Sequence, residues 1–170
     1  MTGKALGVEA YDLVKRELPT PVPQWNILNQ WGFAFTQVPL WWWIDQAQWH
    51  AVSATSTVPG LSATATATPV EIVFDPGDGT GPHTCPGPGV VFNARLKFAE
   101  QSTPCVYVYH HSSALAPNGR SFISSMSVRW TVSWTATDGD GGPLGDLVSS
   151  TGPRPMEVAE QQIVLLPEQH

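Results

Sequence analysis

The clearest strand pattern in the chain is Met126-Ser-Val-Arg-Trp-Thr-Val-Ser-Trp-Thr-Ala136, in which every second side chain is apolar. Ser, Thr and Arg occupy the positions in between. A period of two is typical of a β-strand that buries one face and exposes the other. The pattern therefore predicts a strand over 126–136, with Trp130 and Trp134 in the core.

A second alternating segment lies at Ser62–Thr68, where alanines at 63, 65 and 67 alternate with threonines at 64, 66 and 68. It predicts a strand with a small-residue face turned inward and a hydroxyl face turned outward. Because dense packing requires complementary volumes, we expect the alanine face to pack against the Trp-lined face of 126–136.

Further strands are predicted between turn signals rich in Gly, Pro and Asp. They cover Trp49–Val58, Val70–Phe74, Cys105–His110 and Met156–Leu166. Gly and Pro crowd into 75–104, which is expected to be mostly irregular, with one short edge strand at Val90–Phe92. Six or seven short strands favour an all-β fold, an antiparallel β-sandwich.

The N-terminal part begins with a helical pattern. Val8, Tyr11, Val14 and Leu18 recur every three or four residues, which predicts a short helix over Gly7–Leu18 with these side chains on its buried stripe. The prolines at 19, 21 and 23 then favour an extended, polyproline-like strap.

An aromatic segment follows the strap. Val38–Ile44 contains aromatic and β-branched residues and is predicted to be an edge strand, because Pro39 has no N–H to donate to a ladder. The chain is accordingly divided into 1–37, with helix, strap and aromatic segment, and 38–170, with the β-sandwich domain.

Composition and charge exclude several classes of protein. Eight Lys and Arg against fourteen Asp and Glu give a net charge of −6 without any basic run, so nucleic acid is not an expected partner. The longest apolar run, Val38–Ile44, is far shorter than a membrane-spanning helix of about 20 residues. No transmembrane segment is predicted.

The compartment is a further expectation. The first ten residues lack the basic start, apolar stretch and cleavage site of a signal peptide. The sequence is consistent with an intracellular or virion protein complete as written, or with a secreted domain whose signal has been removed. Eight Trp, sixteen Pro and fifteen Gly with few cations favour the extracellular or cell-envelope alternative.

The run Val70-Glu-Ile-Val-Phe-Asp-Pro-Gly-Asp-Gly-Thr80 resembles the strand and turn of PKD domains, whose signature is an aromatic residue, Asp, a variable position and Gly-Asp-Gly. Val106–His110 and the strand at 126–136 are similar to the remaining PKD marks. The chain departs from the pattern at Pro76, where an aromatic is common, and in its long cysteine-containing insertion.

A more specific resemblance covers about residues 39–166. Pro39–Asp45, Trp49, Ser53–Thr55 and the two cysteines are similar to a group of secreted actinobacterial proteins of unknown function that carry a PKD-like domain. The resemblance implies an Ig-like β-sandwich on the cell exterior. It implies little about activity.

Cys85 and Cys105 are the only cysteines and flank a stretch rich in turn residues, which favours a disulfide. Closing a loop of about 20 residues would stabilise the fold by about 3 kcal/mol. A zinc site with His83, His110 and His111 is the alternative, although the spacing matches no usual ligand pattern.

Two acidic turns are weak calcium candidates, Asp75 with Asp78 and Asp138 with Asp140. Counted from Asp138, the sixth position is Pro143 and the twelfth is Ser149, so the Gly and Glu of a calcium loop are missing. The alternative is local turn chemistry, in which the carboxylates accept backbone N–H groups. No metal or cofactor is predicted.

Catalytic groups do not form a recognisable set. Ser112 and Ser113 follow His110-His111, but no Gly-x-Ser-x-Gly motif is present. A glycosidase would need two carboxylates, and nothing singles out a pair among Glu71, Glu100, Glu157 and Glu160. We expect no enzymatic activity.

Six tryptophans are candidate contact residues, because Trp is enriched in binding hot spots and on glycan platforms. Successive residues of a strand point to opposite sides, so at least one face of the Trp41–Trp43 ribbon is expected to show an aromatic. The alternative is that these side chains plug the sandwich. The candidates are Trp25, Trp31, Trp41, Trp42, Trp43 and Trp49.

The sequence therefore predicts a non-enzymatic, extracytoplasmic structural or protein-interaction module of a cell envelope, secretion or surface assembly. Its partner contacts are expected within Pro19–Trp49, with the sandwich as scaffold. The alternatives are a carbohydrate-binding module that uses exposed Trp residues and a virion surface component.

Overall fold

The computed structural model describes residues 1–160, and this range is mostly β, with 44% of residues in strands and one α-helix, α1 (Gly3–Glu17). Three short 3-10 turns occupy Gln46–Gln48, Phe98–Glu100 and Ser113–Leu115. The strands are β1 (Pro23–Trp25), β2 (Ala34–Phe35), β3 (Leu40–Ile44), β4 (Val52–Val58), β5 (Leu61–Asp75), β6 (His83–Pro86), β7 (Val106–Tyr107), β8 (Phe122–Ala136), β9 (Gly141–Met156) and β10 (Val158–Ala159).

The largest sheet is antiparallel and has the strand order β4–β5–β8–β9. The long strands β5 and β8 form its centre and pair from Ala63–Ala136 to Asp75–Ser125. The first half of β5 also pairs with β4, and its second half pairs with β6. The predicted strand at 126–136 is confirmed and forms most of β8.

A register shift between Pro69 and Glu71 lets β5 bury side chains on the same side of the sheet before and after the shift. Before the shift the buried residues have odd numbers, Ala63, Ala65 and Ala67, and after it they have even numbers, Ile72 and Phe74. Because side chains alternate strictly along a strand, only an irregularity can produce such a change. The buried face of β5 and β8 thus has two parts, which we call the alanine half (63–67 on β5, 132–134 on β8) and the aromatic half (72–74 on β5, 126–128 on β8).

Helix α1 covers the alanine half and crosses all four strands. A Cβ atom at Gly7 would lie 2.6 Å from the Trp134 ring, so only glycine allows this close approach. The predicted packing of the alanine face against the Trp-lined face is wrong in geometry. Ala65 and Trp134 are neighbours in one sheet, and the helix lies on both.

The helix begins four residues earlier than predicted and buries a different stripe. Its inward residues are Gly3, Leu6, Gly7, Ala10 and Val14, whereas Val8 is exposed and Tyr11 and Leu18 are half-buried. Thr2 caps the first turn, since its Oγ1 accepts the Ala5 N–H at 3.1 Å. Small residues were favoured on this face because the partner surface contains the bulky Trp134.

The aromatic half is covered by a three-stranded antiparallel sheet with the order β1–β3–β7. The Trp42 ring of β3 lies 5.4 Å from the Phe74 ring of β5, and the Tyr107 ring of β7 lies 6.3 Å from it. The prediction of an edge strand at Val38–Ile44 is wrong, because β3 begins after Pro39 and pairs on both sides. All five residues of β3 are buried.

The edge strand β9 is absent from the sequence prediction. Its sequence contains three prolines and several glycines, which suggested turns. Proline is tolerated on an outer strand because one side of that strand needs no donors, and β9 pairs only with β8. The irregular stretch 75–104 contains β6 but no strand at Val90–Phe92, where the prediction is wrong.

The hydrophobic core joins residues on both sides of residue 38. It includes Leu6, Val14 and Ala34 together with Trp42 and Trp130. A short parallel pair, β2 with β10, fastens residues 34–35 to 158–159. The predicted strand at Met156–Leu166 overlaps the last residue of β9 and the two residues of β10. Its remainder lies outside the described residues.

The outward face of the large sheet carries the predicted hydroxyl groups. Cross-strand pairs join Ser53 to Thr66 and Thr55 to Thr64, each at 2.8 Å. Within residues 1–160, no helix has both the length and the apolar character needed to cross a bilayer.

Candidate functional site

The most exposed aromatic side chain belongs to a loop between β1 and β2. We call residues 26–33 the Trp31 loop. Trp31 is 64% exposed and Leu28 is 68% exposed, although side chains of this size are usually buried in a folded domain. The core therefore makes little use of either residue.

Two asparagine side chains fix the backbone of this loop. Asn29 Oδ1 accepts the N–H groups of Trp31 and Phe33, both at 3.1 Å, and its Nδ2 donates to the Phe33 carbonyl at 2.7 Å. Asn26 Nδ2 donates to the Pro39 carbonyl at 3.0 Å, and its Oδ1 accepts the Trp41 N–H at 2.8 Å. The side chains thus replace a regular ladder and hold the loop against the start of β3.

An open, largely apolar pocket of about 220 Å³ lies beneath the loop. Ile27, Leu28 and Phe33 line one side, and Val38 and Pro39 line the other. An apolar recess of this size can receive one side chain of a binding partner, and Leu28, which lines it, is itself largely exposed.

The other predicted contact tryptophans lie elsewhere. Trp41, Trp42 and Trp43 are buried in β3, so the expectation that this ribbon exposes an aromatic face is wrong. The reason is that β1 and β7 flank β3 while the large sheet covers Trp42 and Phe92 packs on Trp41, with ring centroids 5.3 Å apart.

Trp25 and Trp49 are half-buried. The Arg154 guanidinium lies 4.2 Å from the centre of the Trp25 ring, a cation–π contact that fastens β9 to β1. Trp49 lies against Gly87, where a Cβ atom would be 2.1 Å from the ring. Both side chains therefore serve mainly as internal contacts.

A polar cluster locks the Gly-Asp-Gly turn that follows β5. The Tyr107 hydroxyl donates to Asp78 Oδ2, and the Thr80 hydroxyl donates to Asp78 Oδ1 at 2.7 Å. Burial acts to raise the pKa of Asp78, but the hydrogen bonds from Tyr107 and Thr80 outweigh it and hold that pKa below its ordinary value. Burial and the bond to Asp78 raise the pKa of Tyr107 to about 12.

The same turn is tied to its surroundings by two further contacts. The Tyr109 hydroxyl donates to the Pro76 carbonyl at 2.9 Å, and burial raises the pKa of Tyr109. Gly77 has a φ of +76°, and a Cβ there would lie 2.1 Å from the Ile123 carbonyl oxygen. This residue must be glycine, and the turn is a rigid structural element.

The four calcium candidates are not brought together. Asp75 and Asp78 lie beside the beginning of β8, whereas Asp138 and Asp140 follow its end. Asp75 Oδ1 accepts the Gly77 N–H at 2.9 Å, and the Asp138 carboxylate lies against Gly3 in the first turn of α1. Asp140 accepts the Gly141 N–H at 2.9 Å, so these carboxylates take part in local turn and helix-end contacts.

The predicted disulfide is confirmed, since Cys85 and Cys105 are bonded. It joins β6 to the residue before β7 and leaves neither thiol free to bind zinc. His83 lies beside Tyr107, with ring centroids 4.8 Å apart, while His110 and His111 are exposed. Within residues 1–160, no group of three or more His, Cys, Asp and Glu residues could hold a metal ion.

The hydrolase candidates have structural contacts. Glu71 pairs with Arg129 at 2.8 Å, and Glu157 pairs with Arg120 at 2.7 Å. The Ser113 hydroxyl donates to the Arg120 carbonyl at 2.6 Å and accepts the Val158 N–H at 2.8 Å. Ser113 therefore acts as a fastener for β10.

Comparison of the chain with protein-family models, curated proteins and solved structures finds no match. The chemistry of the exposed surface is therefore the basis for assigning a function. Trp31 is among the contact residues predicted from the sequence, whereas Leu28 is not, although its position between Asn26 and Asn29 was an available signal.

Proposed function

We propose that this protein is a non-enzymatic, extracytoplasmic module that takes part in the assembly of a cell envelope, secretion system or surface structure. It binds a protein partner through the Trp31 loop. The proposal rests on two largely exposed apolar side chains, Leu28 and Trp31. Hydrogen bonds from Asn26 and Asn29 hold the backbone that carries them in place.

The physical reason lies in the cost of binding. A flexible loop loses conformational entropy when it docks, whereas a loop that is already ordered keeps most of the gain from apolar burial. Trp contributes a large apolar surface with few rotatable bonds, which is why it is frequent in hot spots. The pocket of about 220 Å³ offers a recess for one side chain of the partner.

We further propose that the two packed sheets form a PKD-like or Ig-like β-sandwich that serves as the scaffold. The antiparallel sheets and the locked Phe-Asp-Pro-Gly-Asp-Gly turn support this assignment. The disulfide supports an extracytoplasmic site, because disulfides persist in oxidising compartments.

The carbohydrate-binding alternative has less support. A glycan platform needs two or three coplanar, exposed aromatic side chains. Within residues 1–160, Trp31 is the only tryptophan that is largely exposed, and Trp41–Trp43 are buried. A single exposed indole beside an aliphatic Leu28 favours a protein partner.

The test is affinity capture from envelope extracts with the tagged full chain and the Leu28→Ala/Trp31→Ala variant. Loss of a hot spot should lower recovery of the specific partner about 30-fold. Ile123→Ala/Val148→Ala is the matched control, because Ile123 is 51% exposed and Val148 64% exposed on other parts of the surface. Equal recovery by all three proteins, or equal loss in both variants, would refute the proposed site.

A further inference from the structure

A second group of exposed apolar residues lies within the segment closed by the disulfide. Val90, Val91, Leu96 and Phe98 are exposed, and two cations, Arg95 and Lys97, alternate with the last two. We call residues 90–98 the Arg95 loop. It shares no residue with the Trp31 loop.

The loop is held in a fixed shape. Gln101 Oε1 accepts the Asn93 N–H at 3.0 Å, while its Nε2 donates to the Asn93 carbonyl at 2.9 Å. Asn93 Oδ1 accepts the Arg95 N–H at 3.0 Å. Phe92 anchors the base, because its ring packs on Trp41 at 5.3 Å and on Phe98 at 5.5 Å.

The charge of the loop is opposite to that of the molecule. The chain has eight Lys and Arg and fourteen Asp and Glu, so the residues other than Arg95 and Lys97 include six cations and have a formal charge of −8. Among residues 1–160, the ion pairs involve only Arg120 and Arg129, and neither loop cation takes part. The nearest acid in sequence, Glu100, accepts the Lys97 N–H at 2.9 Å.

We propose that the Arg95 loop docks the protein on an anionic lipid surface. Arg95 and Lys97 would meet the headgroups, while Leu96, Phe98 and the valines enter the boundary between headgroups and acyl chains. The negative remainder of the molecule is repelled from the same surface, so the attraction orients the molecule with this loop towards the lipid.

The arrangement of the exposed residues favours lipid over an acidic protein. Residues 93–98 are all exposed, and in them the cations Arg95 and Lys97 alternate with the apolar Leu96 and Phe98. Of the residues that line the adjacent recess of about 190 Å³, only Phe98 belongs to the loop. A protein hot spot needs a recess at the contact centre, whereas insertion into an interface needs exposed apolar side chains with cations beside them.

The test is co-sedimentation of the full chain with vesicles of phosphatidylcholine alone and of phosphatidylcholine mixed with phosphatidylglycerol. We expect binding to the mixed vesicles, little binding to the neutral ones, and a decrease as salt is raised. Arg95→Ser/Lys97→Ser should lower the partition coefficient about 30-fold, since each cation near an anionic surface contributes roughly fivefold.

The matched control is Lys15→Ser/Arg16→Ser, which removes two exposed cations from α1 and changes the net charge equally. Leu96→Ser/Phe98→Ser should also weaken binding while leaving the circular dichroism spectrum unchanged. No binding to mixed vesicles, or equal loss in the loop and control charge variants, would overturn the proposal. Capture of an acidic protein by the loop without vesicle binding would do the same.

Discussion

The alanine half and the aromatic half bury the same face of β5 and β8 by opposite means. In the alanine half, Ala65 and Gly7 let a helix approach the sheet until its backbone nearly touches Trp134. In the aromatic half, the rings of Trp42 and Phe74, 5.4 Å apart, fill the space between two sheets. A single helix covers the alanine half, whereas several short strands joined by loops cover the aromatic half. Two of those loops, the Trp31 loop and the Arg95 loop, display the apolar residues to which we assign binding.

The largest expected effect on stability comes from removing α1 and β3, which cover the two halves. A chain that starts at Ala47 lacks Leu6 and Val14 of α1 and Trp42 and Ile44 of β3, all of which are buried in the core. We expect no cooperative unfolding transition in urea, in contrast to the full chain. A truncated protein with a sharp transition near that of the parent would show that the segment is an accessory, as the sequence had suggested.

Single core substitutions compare the two halves directly. Trp134→Ala in the alanine half and Trp42→Ala in the aromatic half should each cost about 3 to 5 kcal/mol, because each leaves a large cavity. Trp130→Ala, at the junction, should cost a similar amount and also breaks the Nε1–H bond to Ser149 Oγ at 2.9 Å.

Urea denaturation measures these losses, and the exposed Thr131→Ala is the control, with an expected change of less than about 0.5 kcal/mol. If Trp134→Ala or Trp42→Ala lowered the unfolding free energy by less than about 1 kcal/mol, the half that contains that tryptophan would not be part of the core.

Acid sensitivity should be concentrated in the aromatic half. The pKa of Asp78 is lowered in the folded state, so the unfolded chain takes up the proton more readily and stability is lost as the pH falls through the folded pKa. Asp78→Asn should therefore reduce the fall in unfolding free energy between about pH 5 and about pH 2.

Urea midpoints across that pH range provide the measurement. Asp12→Asn, on the exposed side of α1, is the control for the removal of one carboxylate. If the Asp78 variant gave a pH profile parallel to that of the parent, the hydrogen bonds from Tyr107 and Thr80 would contribute nothing to the acid response.

The smallest expected effect on stability belongs to the proposed contact residues. Leu28→Ala and Trp31→Ala should each change the unfolding free energy by less than about 0.5 kcal/mol, because both side chains are largely exposed. Urea denaturation of the two variants checks this. A loss above about 2 kcal/mol would assign them to the core, as for Trp42.

The alanine half was largely predictable from the sequence, and the aromatic half was not. Strict alternation at 62–68 and 126–136 reports local geometry, so these strands and their buried faces were found. Alternation does not show which surface covers a strand, so the partner of Ala65 was taken to be a facing strand instead of α1. The edge strand β9 was missed because its prolines are acceptable only where one side needs no donor.

The aromatic half depends on contacts between distant residues. The burial of Trp42 follows from the pairing of β3 with β1 and β7 and from the contact of its ring with Phe74, which no local pattern records. The disulfide was predictable because the chain has only two cysteines. The Arg95 loop was not identified, since the exposure of Leu96 and Phe98 beside its two cations depends on how the folded chain packs, which no local pattern records.

Site-specific photo-cross-linking shows whether the Trp31 loop is the partner-binding surface. A photoreactive amino acid replaces the exposed Gln30, which leaves Trp31 intact, or the exposed Ser150 on β9 as the control. In intact envelopes we predict one discrete adduct from position 30, lost when Trp31→Ala is added, and none from position 150. The same adducts from both positions, or no adduct from position 30, would exclude the Trp31 loop as the partner-binding surface.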